Sequence, residues 1–198
     1  MAEGAAWLAA HDPRFAAALE VTGPLPLRRR ADGFAALLSA IVSQQVSVAS
    51  ARAIVGRCEA AALHDPEVAR VADDEAMRAC GLSRQKIRYI RALAEAGIDF
   101  DALRRAPTDI VVATLTEVPG IGRWTAEIYA MFSLGHADVF APNDLALQEA
   151  ARLLLDLPER PKEREMRAIA EAWTPWRAVA ARLLWAYYAH AKSREGTL

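Results

Sequence analysis

Thr116-Glu117-Val118-Pro119-Gly120-Ile121-Gly122-Arg123-Trp124-Thr125-Ala126, with Val139-Phe140-Ala141-Pro142-Asn143-Asp144 further along, is the stretch whose reading decides the fold. The first part reads as a tight turn that opens a helix. Pro119 presets φ, and Gly120 and Gly122 permit backbone angles or close approaches that a Cβ would forbid. Such a turn leaves several amide N–H groups pointing outward at a helix N-terminus, where the positive end of the helix dipole also favours negative charge. The turn can therefore hold a phosphate without any lysine.

Working outward, an apolar helix from Asp109 to Leu115 runs into the turn and a second, from Arg123 to Leu134, runs out of it. Together they frame a helix–hairpin–helix over about 109–134, a motif that grips one DNA backbone without reading its sequence. The competing reading is a plain corner between two helices with a glycine turn.

The remaining chain reads as all-α, ten or so short helices, with no segment alternating at period two. Asp12-Pro13 opens a helix over 14–20, and Asp32 is expected to cap one from Gly33 to Gln45. Val46 to Leu63 reads as the next helix. Further helices are predicted over Asp73–Cys80, Arg84–Ala96 behind Ser83, Phe100–Ala106, Leu145–Leu155 behind Asn143-Asp144, Pro161–Trp173 and Pro175–Ala191. Ser43-Gln44-Gln45 marks the end of one helix. Trp124, Ile128, Met131 and Phe132 form an apolar stripe, Arg28-Arg29-Arg30 a solvated run, and Arg84, Lys86, Arg88 and Arg91 a charged face from which Arg84 or Lys86 could reach phosphate.

Composition narrows the partners. The 198 residues carry 24 Lys and Arg against 25 Asp and Glu, so there is no global basic field and any DNA contact must be local. Cys58 and Cys80 cannot build a Cys₄ iron–sulfur cluster and match no zinc spacing, so both read as small core thiols. No stretch approaches the ~20 apolar residues of a membrane span and no signal peptide is visible, which predicts a cytoplasmic, nucleoid-associated protein. No nucleotide, flavin or Mg²⁺ motif is present.

On these residues the chain resembles the helix–hairpin–helix DNA glycosylases of base-excision repair with a Gly/Pro-rich loop and a following Asp. Val118-Pro-Gly-Ile-Gly-Arg-Trp-Thr-Ala is most similar to the 3-methyladenine DNA glycosylase II branch. Ile41-Val-Ser-Gln-Gln-Val-Ser-Val-Ala, the Gly81 to Leu93 helix entry and Trp173-Thr-Pro-Trp-Arg extend the resemblance over nearly the whole chain.

The resemblance implies one glycosylase domain spanning 1–198, two packed helical lobes with the active-site cleft between them, and no N-terminal β-rich domain of the kind larger relatives carry. It implies Asp144 as the catalytic carboxylate, with Asp138 as runner-up; the plain alternative for Asp144 is a helix N-cap. Trp124 and Trp176 would line the base pocket, while Ile128 and Leu145 stand where relatives often have tyrosines. Gln45, next to Gln44, would wedge into the DNA stack, and Gly120, Ile121, Gly122, Arg123 and Thr125 would contact the backbone. The carbonyls of Thr116, Val118 and Ile121 would hold a structural Na⁺ or K⁺, the only ion implied. Bifunctional members carry a Lys where this chain has Trp124, so a monofunctional hydrolase is implied. The expected partner is double-stranded DNA containing a damaged base, met by a monomer. The rival classes are a glycosylase for other damaged bases and a non-catalytic DNA-binding or damage-sensing module.

Overall fold

The computed structural model describes residues 1–195. It is helical throughout, with thirteen α-helices and no strand among the described residues. No helix is long and apolar enough to cross a membrane, and no group of His, Cys, Asp and Glu could hold a metal ion among the described residues.

The chain divides into two compact units, one from Arg30 to Leu134, the other comprising Met1–Arg29 and the chain from Gly135 onward. With helices numbered in chain order, the second of these units holds α1 (Ala2–His11), α2 (Pro13–Thr22), α11 (Leu145–Leu154), α12 (Glu163–Glu171) and α13 (Arg177–Glu195). We call it the terminal unit. Its core is Leu8, Phe15, Leu147, Met166, Trp173, Leu183 and Leu184, with the Trp173 ring edge-on to both Phe15 and Phe140 at 5.4 Å. The central unit holds α3 (Phe34–Ser43), α4 (Val48–Ala60), α5 (Pro66–Val71), α6 (Asp74–Ala79), α7 (Arg84–Glu95), α8 (Phe100–Arg105), α9 (Thr108–Thr116) and α10 (Arg123–Tyr129), which runs on as a π turn over Ala130–Leu134.

Helix α7 shows why the central unit folds as it does. Ser83 accepts a hydrogen bond from the Lys86 amide at its start, and Ile87, Ile90 and Leu93 make one fully buried stripe. Each such side chain contributes about 1.5–3 kcal/mol by leaving water, which is what orders a helix this short. Leu37, Leu38 and Ile41 of α3 and Ile54 of α4 are buried in the same unit.

Several expectations need correction. Asp32 does not cap α3: its carboxylate pairs with Arg104, the N-cap is Gly33 at φ +84°, and the Gly33 N–H donates to the Tyr129 hydroxyl at 2.8 Å. The chain enters α3 through a positive φ, and that turn takes the aspartate away from the helix amides. Helix α3 also stops at Ser43, because Gln45 adopts φ +57°. Helices α1 and α5 were not foreseen, although α5 starts at Asp65-Pro66 with the same signature as Asp12-Pro13. The arginine run is partly tethered, since Arg30 lies over the Phe132 ring at 5.0 Å and its amide donates to the Phe132 carbonyl. Cys58 and Cys80 are buried, and burial pushes the Cys58 thiol up to about 11, which leaves it unreactive.

Candidate active site

In the central unit the hairpin is anchored from below and bare above. Val118 and Ile121 are buried, the Val118 amide donates to Leu115 O at 3.2 Å and the Ile121 amide to Val118 O at 3.0 Å. Gly120 sits at φ +93°, and a Cβ there would overlap the Tyr89 ring, so only glycine fits. Gly122 differs from the expectation. Its φ of −81° and ψ of 166° suit any residue, and a Cβ would meet nothing within 4 Å. No contact inside the protein requires glycine there; what its bare backbone provides is open space over the start of α10. That start has no side-chain cap, so the dipole and the first-turn amides face the surface. Arg123 beside it is exposed and pairs with Glu127 at 3.0 Å, and Thr125 is half-buried.

The loop after α3 meets the hairpin. The Gln44 side-chain amide donates to the Gly120 carbonyl at 2.8 Å, so the peptide between Gly120 and Ile121 is held at its oxygen by Gln44 and at its nitrogen by Val118. Gln44 thus serves the hairpin from inside, a role that its place beside Gln45 did not suggest. Gln45 is exposed and left-handed, a conformation that costs a non-glycine residue about 1–2 kcal/mol. Both glutamines line one groove of about 670 Å³ with Thr116, Val118, Gly120, Ile121 and Gly122. Lys86, read as a possible phosphate contact, donates from Nζ to Val42 O at 2.6 Å and so satisfies the last turn of α3; burial lowers its pKa. Arg84 stays exposed.

Trp124 and Ile128 share a cavity of about 480 Å³ within the central unit, walled across from them by the small residues Ala36, Ser39 and Ala40 of α3. Trp124 is 44% exposed, which is far from the core placement an apolar stripe would give it, whereas Met131 and Phe132 of the same stripe are buried.

In the terminal unit the loop into α11 is fixed by buried Val139, Phe140, Ala141 and Pro142. The Asp144 amide donates to Ala141 O at 3.0 Å, and the buried Gln148 side chain donates to Pro142 O at 2.8 Å, closing the turn. Asp144 is the N-cap of α11: its Oδ1 accepts from the Leu147 amide at 3.0 Å and also from the Trp185 indole N–H at 3.2 Å. Leu145, next along, is 63% exposed and Asn143 is exposed.

Asp138 is occupied elsewhere in this unit. Arg177 Nε and Nη2 donate to its two oxygens at 2.6 and 3.0 Å, which raises the Arg177 pKa, and the Ala178 amide donates to Ala137 O at 2.9 Å. These bonds pin the segment bearing Trp176 to the loop that leads to Asp144. The indole of Trp176 lies against α1, where a Cβ on Gly4 would come within 2.8 Å of it. Sequence reasoning missed Gln148, Trp185, Gly4 and Tyr89 as supports. An Asp-to-Gln spacing over the first turn was visible for Gln148; the other three act at long range and leave no local signal.

Comparison with known proteins shows the family. Residues 38–175 match the model of the HhH-GPD superfamily base excision DNA repair proteins, and the chain belongs to that family. It is 35% identical over 158 residues to DNA-3-methyladenine glycosylase 1 of Schizosaccharomyces pombe, spanning 75% of this chain and 69% of that protein. It is 29% identical to DNA-3-methyladenine glycosylase 2 of Escherichia coli over 78% of this chain and 57% of that one. The crystal structure of a DNA-3-methyladenine glycosidase from Bacillus halodurans superposes with a TM-score of 0.84 at 37% identity, over 94% and 88% of the two chains. The S. pombe 3-methyladenine DNA glycosylase in complex with abasic DNA superposes with a TM-score of 0.79 at 30% identity, over 92% and 95%.

Proposed function

We infer that this chain is a monofunctional DNA glycosylase of base-excision repair that hydrolyses the N-glycosidic bond of alkylated purines in double-stranded DNA. The observation that carries the reading is Asp144, a carboxylate that accepts from the Leu147 amide and the Trp185 indole at a helix start, in a chain of this family.

As the bond from C1′ to the base breaks, positive charge develops on the sugar, and a fixed carboxylate stabilises it. Water then adds its oxygen to C1′ and yields a proton to Asp144, leaving a free base and an abasic site. An alkylated purine that already carries positive charge leaves as a neutral molecule, so little acid catalysis is required. Trp124 offers such a base an electron-rich ring face, an attraction of ~0.5–2 kcal/mol. Trp176, held in its own unit by Gly4 and by the segment that Arg177 pins, is the second aromatic side chain assigned to the base, and Ile128 and Leu145 supply apolar surface. Trp124 stands where a Schiff-base lysine would be, so the strand is left uncut.

The uncapped amides of α10 hold a backbone phosphate, with Arg123 and Thr125 beside them, and Gln45 fills the gap left by the extruded nucleotide. That filling offsets part of an unstacking cost of a few kcal/mol. Three neutral carbonyls, of Thr116 at the end of α9 and of Val118 and Ile121 in the hairpin, suit a hard monovalent cation. Such an ion would brace the turn. The enzyme acts as a monomer, and its place is with the nucleoid in the cytoplasm.

The test is single-turnover excision from duplexes that each contain one modified base. Release of 3-methyladenine and 7-methylguanine, with strands intact until alkali is added and no adduct trapped by borohydride, is the expected result. No release from any duplex would leave a DNA-binding module, and a trapped adduct would remove the monofunctional assignment.

A further inference from the structure

We infer that Gln44 is a positioning residue for DNA engagement: its side-chain bond to the Gly120 carbonyl aims Gln45, so that the hairpin itself sets the direction of the wedge. The inference rests on the proposed insertion of Gln45 into the DNA stack. Three side chains hold the turn between α3 and α4. Lys86 Nζ donates to Val42 O at 2.6 Å, the Ser47 hydroxyl accepts from the Ser50 amide at 3.2 Å, and Gln44 Nε2 donates to Gly120 O at 2.8 Å. The first two finish one helix and start the next, duties that any helix end has. The Gln44 side chain does neither: its partner lies 76 residues away in the hairpin.

The next residue gives that bond its purpose. Gln45 is exposed with φ +57°, and a left-handed residue other than glycine persists only where its surroundings over-determine it. The Gly120 carbonyl is a fixed reference for doing so. Gly120 lies against the Tyr89 ring, too close for a Cβ, and the Ile121 amide of the same peptide donates to Val118 O at 3.0 Å. A carbonyl oxygen only accepts, so the NH₂ end of Gln44 must face it, and the side-chain amide cannot turn over without losing the bond. The residue before Gln45 is thus tied to a peptide held at both its oxygen and its nitrogen, while Ser47 fixes the chain two residues after. Gln45 projects from a set position relative to the hairpin, and little ordering of this loop remains when DNA binds. Gln44, Gln45, Gly120 and Gly122 line the same groove, so the wedge and the uncapped start of α10 open onto one surface.

The experiment is a double-mutant cycle read as affinity for a duplex containing a tetrahydrofuran abasic analogue, which presents the gap without any need for excision. In the parent, Q45A should weaken binding by about 10-fold. In the Q44M background, where the donor is gone and the bulk is kept, Q45A should weaken it by less than about three-fold, because a wedge that is no longer aimed has little left to lose. Q44K restores a donor of the kind that Lys86 offers to Val42, and there the effect of Q45A should return to about the parental value. Each ratio is taken within one background, so the added charge cancels. Thermal unfolding accompanies every variant, and Q44A takes the place of Q44M if the latter does not unfold cooperatively. An equal proportional effect of Q45A with and without the Gln44 donor overturns the inference and leaves Gln44 as a brace of the hairpin alone. An effect that shrinks equally in Q44M and Q44K also overturns it, since the change then follows packing and not the donor. If Q45A changes nothing in the parent, the reading of Gln45 has failed and the inference with it, an outcome distinct from a working wedge that needs no aim from Gln44.

Discussion

Two helix starts in this molecule solve the same electrostatic problem in opposite ways. Helix α10 begins at Gly122 with no side-chain cap, and helix α11 begins at Asp144 with its carboxylate bonded to the Leu147 amide. Both starts have extended backbone, with φ −81° and −77°. The backbone region is therefore shared, although ψ is 166° at Gly122 and 117° at Asp144, and the difference in capping lies in the side chain. A helix start that supplies its own anion cannot receive another; one that withholds it presents amides and dipole to a ligand. On the proposed function, the first is a place for a carboxylate to work and the second a place for a phosphate to land.

The largest effect should come from Asp144→Asn. The amide oxygen can still accept from Leu147 and Trp185, so the cap and the fold survive with at most a modest loss of stability. The negative charge is gone, and losing such a group typically costs about 10²–10³ in rate. Affinity for damaged duplex should hold or rise slightly, since one negative charge near phosphates is removed. Single-turnover excision within a few-fold of the parent would leave Asp144 as a cap and nothing more.

Next in size is the conversion of one start into the other. Gly122→Asp places a carboxylate on backbone that already has cap geometry, with nothing within 4 Å of the new Cβ. Gly and Asp differ by a few tenths of a kcal/mol at an N-cap, so the folded state should gain by about that much. Binding to any duplex, damaged or not, should weaken by about 10-fold or more, because the anion site is now filled by the protein. Retained affinity in a folded, slightly stabilised variant would show that α10 does not hold phosphate. Gly120→Ala tests the same hairpin from its other side. A positive φ and a Cβ inside the Tyr89 ring should cost about 1–3 kcal/mol in urea unfolding, and Tyr89→Ala should restore only the steric part.

What was legible in the sequence follows the range of the interaction. The α7 stripe, the caps at Ser83 and Asp73, the hairpin and the helix behind Asp144 depend on residues three or four apart, and each left a pattern. The Asp32 cap was misread because its competitor, Arg104, lies 72 residues away. Gln44 reaches Gly120 across 76 residues, and Trp185 reaches Asp144 across 41. Helix α1 is Ala-rich with no side-chain cap, and the reason for its Gly4 is an indole from the far end of the chain. Sequence therefore named the candidate groups, while the groups that hold them became visible only in three dimensions.

The smallest effect should come from the other candidate carboxylate of the loop into α11. Asp138 precedes Asp144 on the same loop and is the alternative candidate for catalysis by position alone. Its two oxygens are taken by Arg177, with a third of the Asp138 side chain and a quarter of the Arg177 side chain exposed. A bidentate pair at this depth contributes about 1 kcal/mol, and it ties the loop to the start of α13. Asp138→Asn keeps one acceptor oxygen and breaks the charge match, so thermal unfolding should shift down by a few degrees for a chain of this length. The rate of excision should stay within about three-fold of the parent, the residual change coming from a looser Trp176 segment. If Asp138→Asn lost activity on the scale expected of Asp144→Asn while remaining folded, the carboxylate that does the chemistry would be the paired one, and the contrast between the two helix starts would describe architecture alone.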